Sequence, residues 1–104
     1  MFKGHTLVVP RSHVVTLADL PSSDLSAYFG FVQQLAVAVE AALGAGGSFV
    51  AINNKVSQSV AHLHTHVVPR TKGDGLRGFF WPRTKYESDD EATSYAEKIS
   101  AALA

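Results

Sequence analysis

The chain has 104 residues, 46% of them hydrophobic and 17% charged, which suits one domain with a modest core, and a second is not expected. Nine Lys and Arg balance nine Asp and Glu, so the formal net charge is +0 and no global positive field exists to drive non-specific nucleic-acid binding. The absence of cysteine excludes disulfides, thiolate nucleophiles and Cys-ligated zinc, and gives no sign of an oxidising compartment, so a cytoplasmic protein is expected. Residues 1–13 hold no apolar run long enough for a signal sequence, and the apolar region 25–43 is broken by Ser26, Gln33, Gln34 and Glu40. No membrane association is expected.

In chain order, HTLVV at 5–9 is short and β-branched, lies between Gly4 and Pro10, and reads as a strand. PRSHVVTLADLP has little periodicity and reads as a connection. From Ser22, the residues Leu25, Tyr28, Phe29, Val32, Leu35, Ala36, Val39 and Leu43 recur at three- and four-residue steps, the stripe of an amphipathic helix. Ser22 is the expected N-cap, Asp24 suits the positive helix end, and the GAGG run at 44–47 stops the helix. SFVAIN at 48–53 is a second strand, and VAHLHTHVV at 60–68, closed by Pro69, gives the strongest strand signal. The glycines of RTKGDGLRG mark a loop. FFWPRTKY is either a short extended piece or an edge cover, and Phe79, Phe80 and Trp81 read as buried packing or a subunit contact. Ser88 and Glu91 fit a capping box that opens a last helix with Ala92, Tyr95, Ala96, Ile99 and Leu103 on one face. These elements predict an α+β domain, an antiparallel sheet packed with one long and one C-terminal helix.

Strand alternation places His62, His64 and His66 on one face with Val60 and Val68, and Ala61, Leu63, Thr65 and Val67 on the other, the core side. The first and third imidazoles of such a strand lie about 13 Å apart, too far for one metal bound at about 2.0–2.1 Å unless the strand bends. Two of them with His5 or His13 could still hold a metal. The alternative is chemistry at phosphorus, with a neutral imidazole as nucleophile and a neighbour handling protons or phosphate oxygens. Ser59, Asn53 and Asn54 supply neutral donors nearby. Arg70, Lys72, Arg77, Arg83 and Lys85 against Asp74 leave a local excess of positive charge.

QSVAHLHTHVVP resembles the histidine triad signature, three alternating histidines followed by two apolar residues and preceded by a Gln. GHTLVVPRSH resembles the segment that histidine triad (HIT) proteins carry upstream. The resemblance implies a nucleotidyl hydrolase or transferase that attacks the α-phosphate of nucleoside phosphoramidates or dinucleoside polyphosphates and passes through a nucleotidyl-histidine intermediate. His64 would be the nucleophile and the His62 carbonyl would fix its tautomer. His66 and Ser59 would serve the phosphate and leaving group, while His5, Asn53, Asn54 and Gln58 would bind phosphate. It implies no cofactor and no metal site, a purine nucleotide (AMP-like) substrate and a homodimer. Family members carry a few dozen residues before this segment, whereas only Met1, Phe2 and Lys3 stand there here, so residues 1–104 are read as a single HIT-like domain, short at its N-terminus. The competing readings are a nucleotide-binding regulatory protein with little turnover and a metal-binding protein using two of the triad histidines.

Overall fold

The computed structural model describes residues 2–76 and 84–103. In chain order it contains strand β1 (Thr6–Val8), 3-10 turns at Leu17–Asp19 and Ser22–Asp24, helix α1 (Leu25–Leu43), strands β2 (Gly47–Ala51) and β3 (Thr65–Arg70), and helix α2 (Asp89–Leu103). The three strands form one antiparallel sheet in the order β1-β3-β2, with α1 across one face. The α+β architecture with an antiparallel sheet, one long helix and one C-terminal helix is therefore present.

The register explains the core. Val8 pairs with Thr65 and Thr6 with Val67, so Val8, Thr65 and Val67 point to the α1 side. Leu63, Thr65 and Val67 are 0% exposed, as expected for the core side of the histidine segment. From α1, Tyr28, Val32 and Val39 complete the core, with Leu35 and Ala36 packed at its margin. Each buried side chain of this size contributes roughly 1.5–3 kcal/mol relative to exposure. The outward face of α1 keeps Phe31 and Val37 in solvent. The segment 22–43 has the length and hydropathy of a membrane-crossing helix, yet here it is the helix that lines a sheet.

Three local details differ from the sequence-based expectation. The helix begins at Leu25 because Pro21 first starts a 3-10 turn, so Ser22 sits inside that turn and makes no side-chain cap. Its end follows expectation: Gly44 adopts φ 61° and its amide bonds the Glu40 carbonyl, a left-handed cap that glycine takes without Cβ strain. At α2, Ser88 Oγ accepts from the Glu91 amide at 3.1 Å, but Glu91 Oε1 takes the amide of Glu87, at 3.0 Å, and not that of Ser88. The α2 stripe exists as a face, but Tyr95, Ile99 and Leu103 are exposed. Phe79, Phe80 and Trp81 lie outside the described residues.

The largest correction concerns the histidine strand. It starts at Thr65, not at residue 60, and residues 60–64 are irregular. The reason is a lack of ladder partners among the described residues. β1 stops at Val8, before Pro10, which has no amide hydrogen to donate, and β2 stops at Ala51, before the loop at 53–58. Of the three alternating histidines, only His66 stands on the strand.

Candidate active site

The irregular stretch 54–63 is held by the connection 10–17, the segment that shows so little pattern in sequence. The Leu63 amide donates to the Val14 carbonyl at 2.8 Å, and His62 Nε2 lies 3.0 Å from the Pro10 carbonyl. Gln58 Nε2 donates to the Val15 carbonyl at 2.6 Å, and Asn54 Oδ1 accepts from the Leu17 amide at 2.8 Å. The connection is itself braced by Asp19, whose carboxylate accepts both the amide and the hydroxyl of Thr16 at 3.0 Å. Those bonds, the amide's foremost, hold the Asp19 carboxyl below its ordinary range.

This clasp reassigns two residues expected to hold phosphate. Gln58 spends its other amide atom too, with Oε1 accepting from the Lys55 amide at 3.0 Å. Lys55 and Ser57 adopt φ 67° and 62°, the left-handed region that non-glycine residues rarely enter, so Gln58 and Asn54 hold a tightly wound loop. Gln58 thus works as a brace, and so does the carbonyl end of Asn54. Asn53 and Ser59 are exposed next to the clasp.

The histidines gather at the N-terminal end of β3. His64 is 6% exposed, and its Nδ1 lies 2.8 Å from the His62 carbonyl. A carbonyl only accepts, so Nδ1 carries the proton and the Nε2 lone pair is free. Among the described residues Nε2 has no hydrogen-bond partner, and no buried side-chain nitrogen or oxygen there lacks one, so Nε2 keeps some solvent exposure. The same logic puts the proton of His62 on Nε2, toward Pro10.

His66 stands beside His64 with ring centroids 5.1 Å apart, nearly edge to face. On its other side, His5, one residue before β1, reaches diagonally across the ladder to place Nε2 2.9 Å from His66 Nδ1. A hydrogen bond between two imidazoles holds one proton. Burial, followed by the charges that His64 and His5 can carry, lowers the His66 pKa below its ordinary 6.5, so His66 is neutral near pH 7. His13 packs edge-on to His62 with centroids 5.5 Å apart, outside the His5-His66-His64 row. Among the described residues, no three His, Asp or Glu side chains are arranged to hold a metal ion.

Arg70, expected to add positive charge for a phosphate, lies at the opposite end of β3. Its Nε bonds Asp74 Oδ2 at 2.6 Å, and one terminal nitrogen bonds Asp74 Oδ1 at 3.1 Å and the Leu76 carbonyl at 2.8 Å. Asp74 also accepts from the amides of Thr71 and Leu76. This ion pair closes its own loop, and Arg77 and Arg83 are outside the described residues. One contact is missing from the reading of the sequence: the Tyr28 hydroxyl, counted there only as part of an apolar stripe, lies 2.6 Å from Oγ1 of Thr65, the residue between His64 and His66. A buried threonine inside a core-facing alternation was the available signal, because its hydroxyl must find a partner.

The HIT domain family matches residues 1–73 of the chain. A Bacillus subtilis relative, "Protein hit", is 35% identical over 98% of this chain and 70% of its own length. The bis(5'-nucleosyl)-tetraphosphatase (asymmetrical) of Schizosaccharomyces pombe is 37% identical over 68% of this chain and 40% of its own length. The crystal structure of a HIT family member from Bacillus subtilis superposes with a TM-score of 0.84 at 30% identity, covering 98% of this chain and 74% of that one. The chain thus spans about two thirds of the length of its bacterial relatives, 65% for a HIT-like protein of Mycobacterium tuberculosis, and less than half of the tetraphosphatase. With the triad histidines placed on one end of a HIT-type sheet and the family matched over most of its length, the chain belongs to the HIT family.

Proposed function

We propose that the chain is a nucleotidyl hydrolase or transferase that attacks the α-phosphate of a nucleoside phosphoramidate or dinucleoside polyphosphate through His64. The observation that carries this reading is the His64 tautomer: Nδ1 bound to the His62 carbonyl, and Nε2 without a partner among the described residues and not fully buried. In the first step the Nε2 lone pair forms a bond to phosphorus, the bond to the leaving group breaks, and the leaving group takes up a proton from solvent. In the second step water attacks phosphorus and gives up a proton to solvent, the nitrogen–phosphorus bond breaks with its electron pair returning to Nε2, and the nucleotide is released. Placing a nucleophile in one orientation before the substrate arrives lowers the entropic part of the barrier.

Neutral His66, beside His64 and bonded to His5, suits contact with phosphate oxygens. Asn53 and Ser59, exposed beside the clasp, complete the contacts of the non-bridging oxygens and the leaving group. The substrate is read as a purine nucleotide of AMP type, the scheme requires no cofactor, and the working form is a cytoplasmic homodimer. Relatives named as a dinucleoside tetraphosphatase and an adenylylsulfatase support nucleotide chemistry as the general class.

The test is a substrate panel with rapid quench and intact-mass analysis. An adenylyl adduct that forms within the first turnover, maps to His64 and is absent from His64→Ala is the expected result. AMP binding by calorimetry, with no adduct and no hydrolysis of adenosine phosphoramidate or diadenosine polyphosphates, would replace the enzyme by a nucleotide-binding regulator. Zinc held in stoichiometric amount, with turnover lost to a chelator, would replace it by a metal protein.

A further inference from the structure

We infer that Tyr28 and Thr65 form a positioning pair for the histidine segment, through which α1 sets the orientation of His64. The inference rests on the proposed role of His64 for its kinetic consequence, but its geometry stands apart from that role.

The Tyr28 hydroxyl donates to the Val8 carbonyl at 2.9 Å and lies 2.6 Å from Thr65 Oγ1. A phenol has one proton, so with that proton on Val8 the Thr65 hydroxyl donates to Tyr28. Both residues are buried, at 8% and 0% exposure, and burial raises the Tyr28 pKa, which keeps the phenol a donor. One hydroxyl therefore ties both strands to the helix.

The place of this tie gives it a function. Val8 and Thr65 form the last rung of the β1–β3 ladder, and Thr65 sits between His64 and His66. Beyond that rung no described residue pairs with the segment in a ladder, and the next anchor is the Leu63 amide on the Val14 carbonyl at 2.8 Å. His64 thus lies between two anchors, Leu63 on one side and the Thr65 hydroxyl on the other. The contact between its Nδ1 and the His62 carbonyl spans that short arc. Strand ends fray when their last rung is unsupported, and a frayed rung here moves the His64 backbone relative to its own tautomer-fixing carbonyl.

Two variants and one control test this. Tyr28→Phe and Thr65→Val each remove the hydroxyl contact with little change in shape, whereas Thr65→Ser keeps a hydroxyl. Nitrogen NMR of the His64 ring is expected to show a single Nδ1–H tautomer in the parent chain and in Thr65→Ser. It is expected to show mixed tautomers in Tyr28→Phe and Thr65→Val. With adenosine phosphoramidate as the probe, kcat is expected to fall about tenfold in both variants with KM changed less than about twofold. The double variant is expected to match Tyr28→Phe, which by itself already removes the bond to Thr65.

A pure Nδ1–H tautomer in a cooperatively melting Tyr28→Phe overturns the inference, and so does a loss of melting temperature alone. If Tyr28→Phe fails to fold, Thr65→Val decides in the same way. A parent chain that does not turn over the probe counts against the proposed function. The tautomer measurement then still upholds or overturns the positioning role by itself.

Discussion

At its N-terminal end β3 holds imidazoles with neutral partners, carbonyls for His62 and His64 and a second imidazole for His66. At its C-terminal end, about 17 Å away at strand rise, Arg70 is locked to Asp74 and to the Leu76 carbonyl. Both ends are polar, and in sequence they look like one continuous basic, histidine-rich phosphate site. They differ in what is left over. The histidine end leaves a lone pair without a partner among the described residues, and the arginine end consumes its charge in closing a loop. A cluster of charged residues in a sequence measures how much charge is present, and only the pairing shows how much is available to a ligand.

The sharpest way to break this comparison is to delete the leading side chain at each end. His64→Ala is expected to reduce turnover of the best panel substrate by about a thousandfold or more, as loss of a covalent nucleophile does, with the melting transition intact. Substantial activity in that variant would remove the distinction between the ends. Next in size is Gln58→Ala, which releases the Val15 carbonyl and the Lys55 amide together. Turnover is expected to fall about tenfold, in line with a misplaced catalytic segment, and limited proteolysis should cut at 55–57, where the left-handed residues lose their brace. Resistance to protease equal to that of the parent chain would mean that the clasp does not depend on Gln58. Smaller still is Arg70→Ala, expected to lower the melting temperature by a few degrees while leaving turnover within about twofold. A large loss of kcat there would return Arg70 to the phosphate site.

The parts of the fold that follow from periodicity were legible in sequence, because burial imposes a period. The α1 stripe placed Tyr28, Val32 and Val39, and the alternation at 61–67 placed Leu63, Thr65 and Val67. The parts that rest on single long-range hydrogen bonds were not. Nothing local in PRSHVVTL announces that its carbonyls and amides will satisfy Asn54, Gln58, His62 and Leu63, since such bonds depend on two loops meeting. The strand start was misjudged for the same reason: alternation describes the residues of one segment, whereas a strand also needs a neighbouring strand, and among the described residues none pairs with 60–64. The histidine cluster itself was legible as a site, but the sequence could not show that His5 Nε2 meets His66 Nδ1 or that Asp74 takes Arg70 away.

The two ends should also separate in pH, and this is the smallest effect expected. His66 has a folded-state pKa below its ordinary 6.5, caused first by burial and then by His64 and His5. The unfolded chain therefore binds its proton more readily, and the stability tied to neutral His66 is complete above pH 6.5 and declines as pH falls below it. Asp74 is held well under its ordinary 3.8, at about 2, by its hydrogen bond to Arg70 first and by the Thr71 and Leu76 amides after desolvation. Its contribution is complete above pH 3.8 and declines only as pH falls from there toward 2. Melting temperatures across pH 8 to pH 2 should thus show an upper decline that is reduced by His66→Gln. The lower decline should be reduced by Asp74→Asn, with each substitution leaving the other window in place. If either substitution flattened both windows, the two ends of β3 would be one coupled network, and Arg70 and Asp74 would have to be counted with the histidines after all.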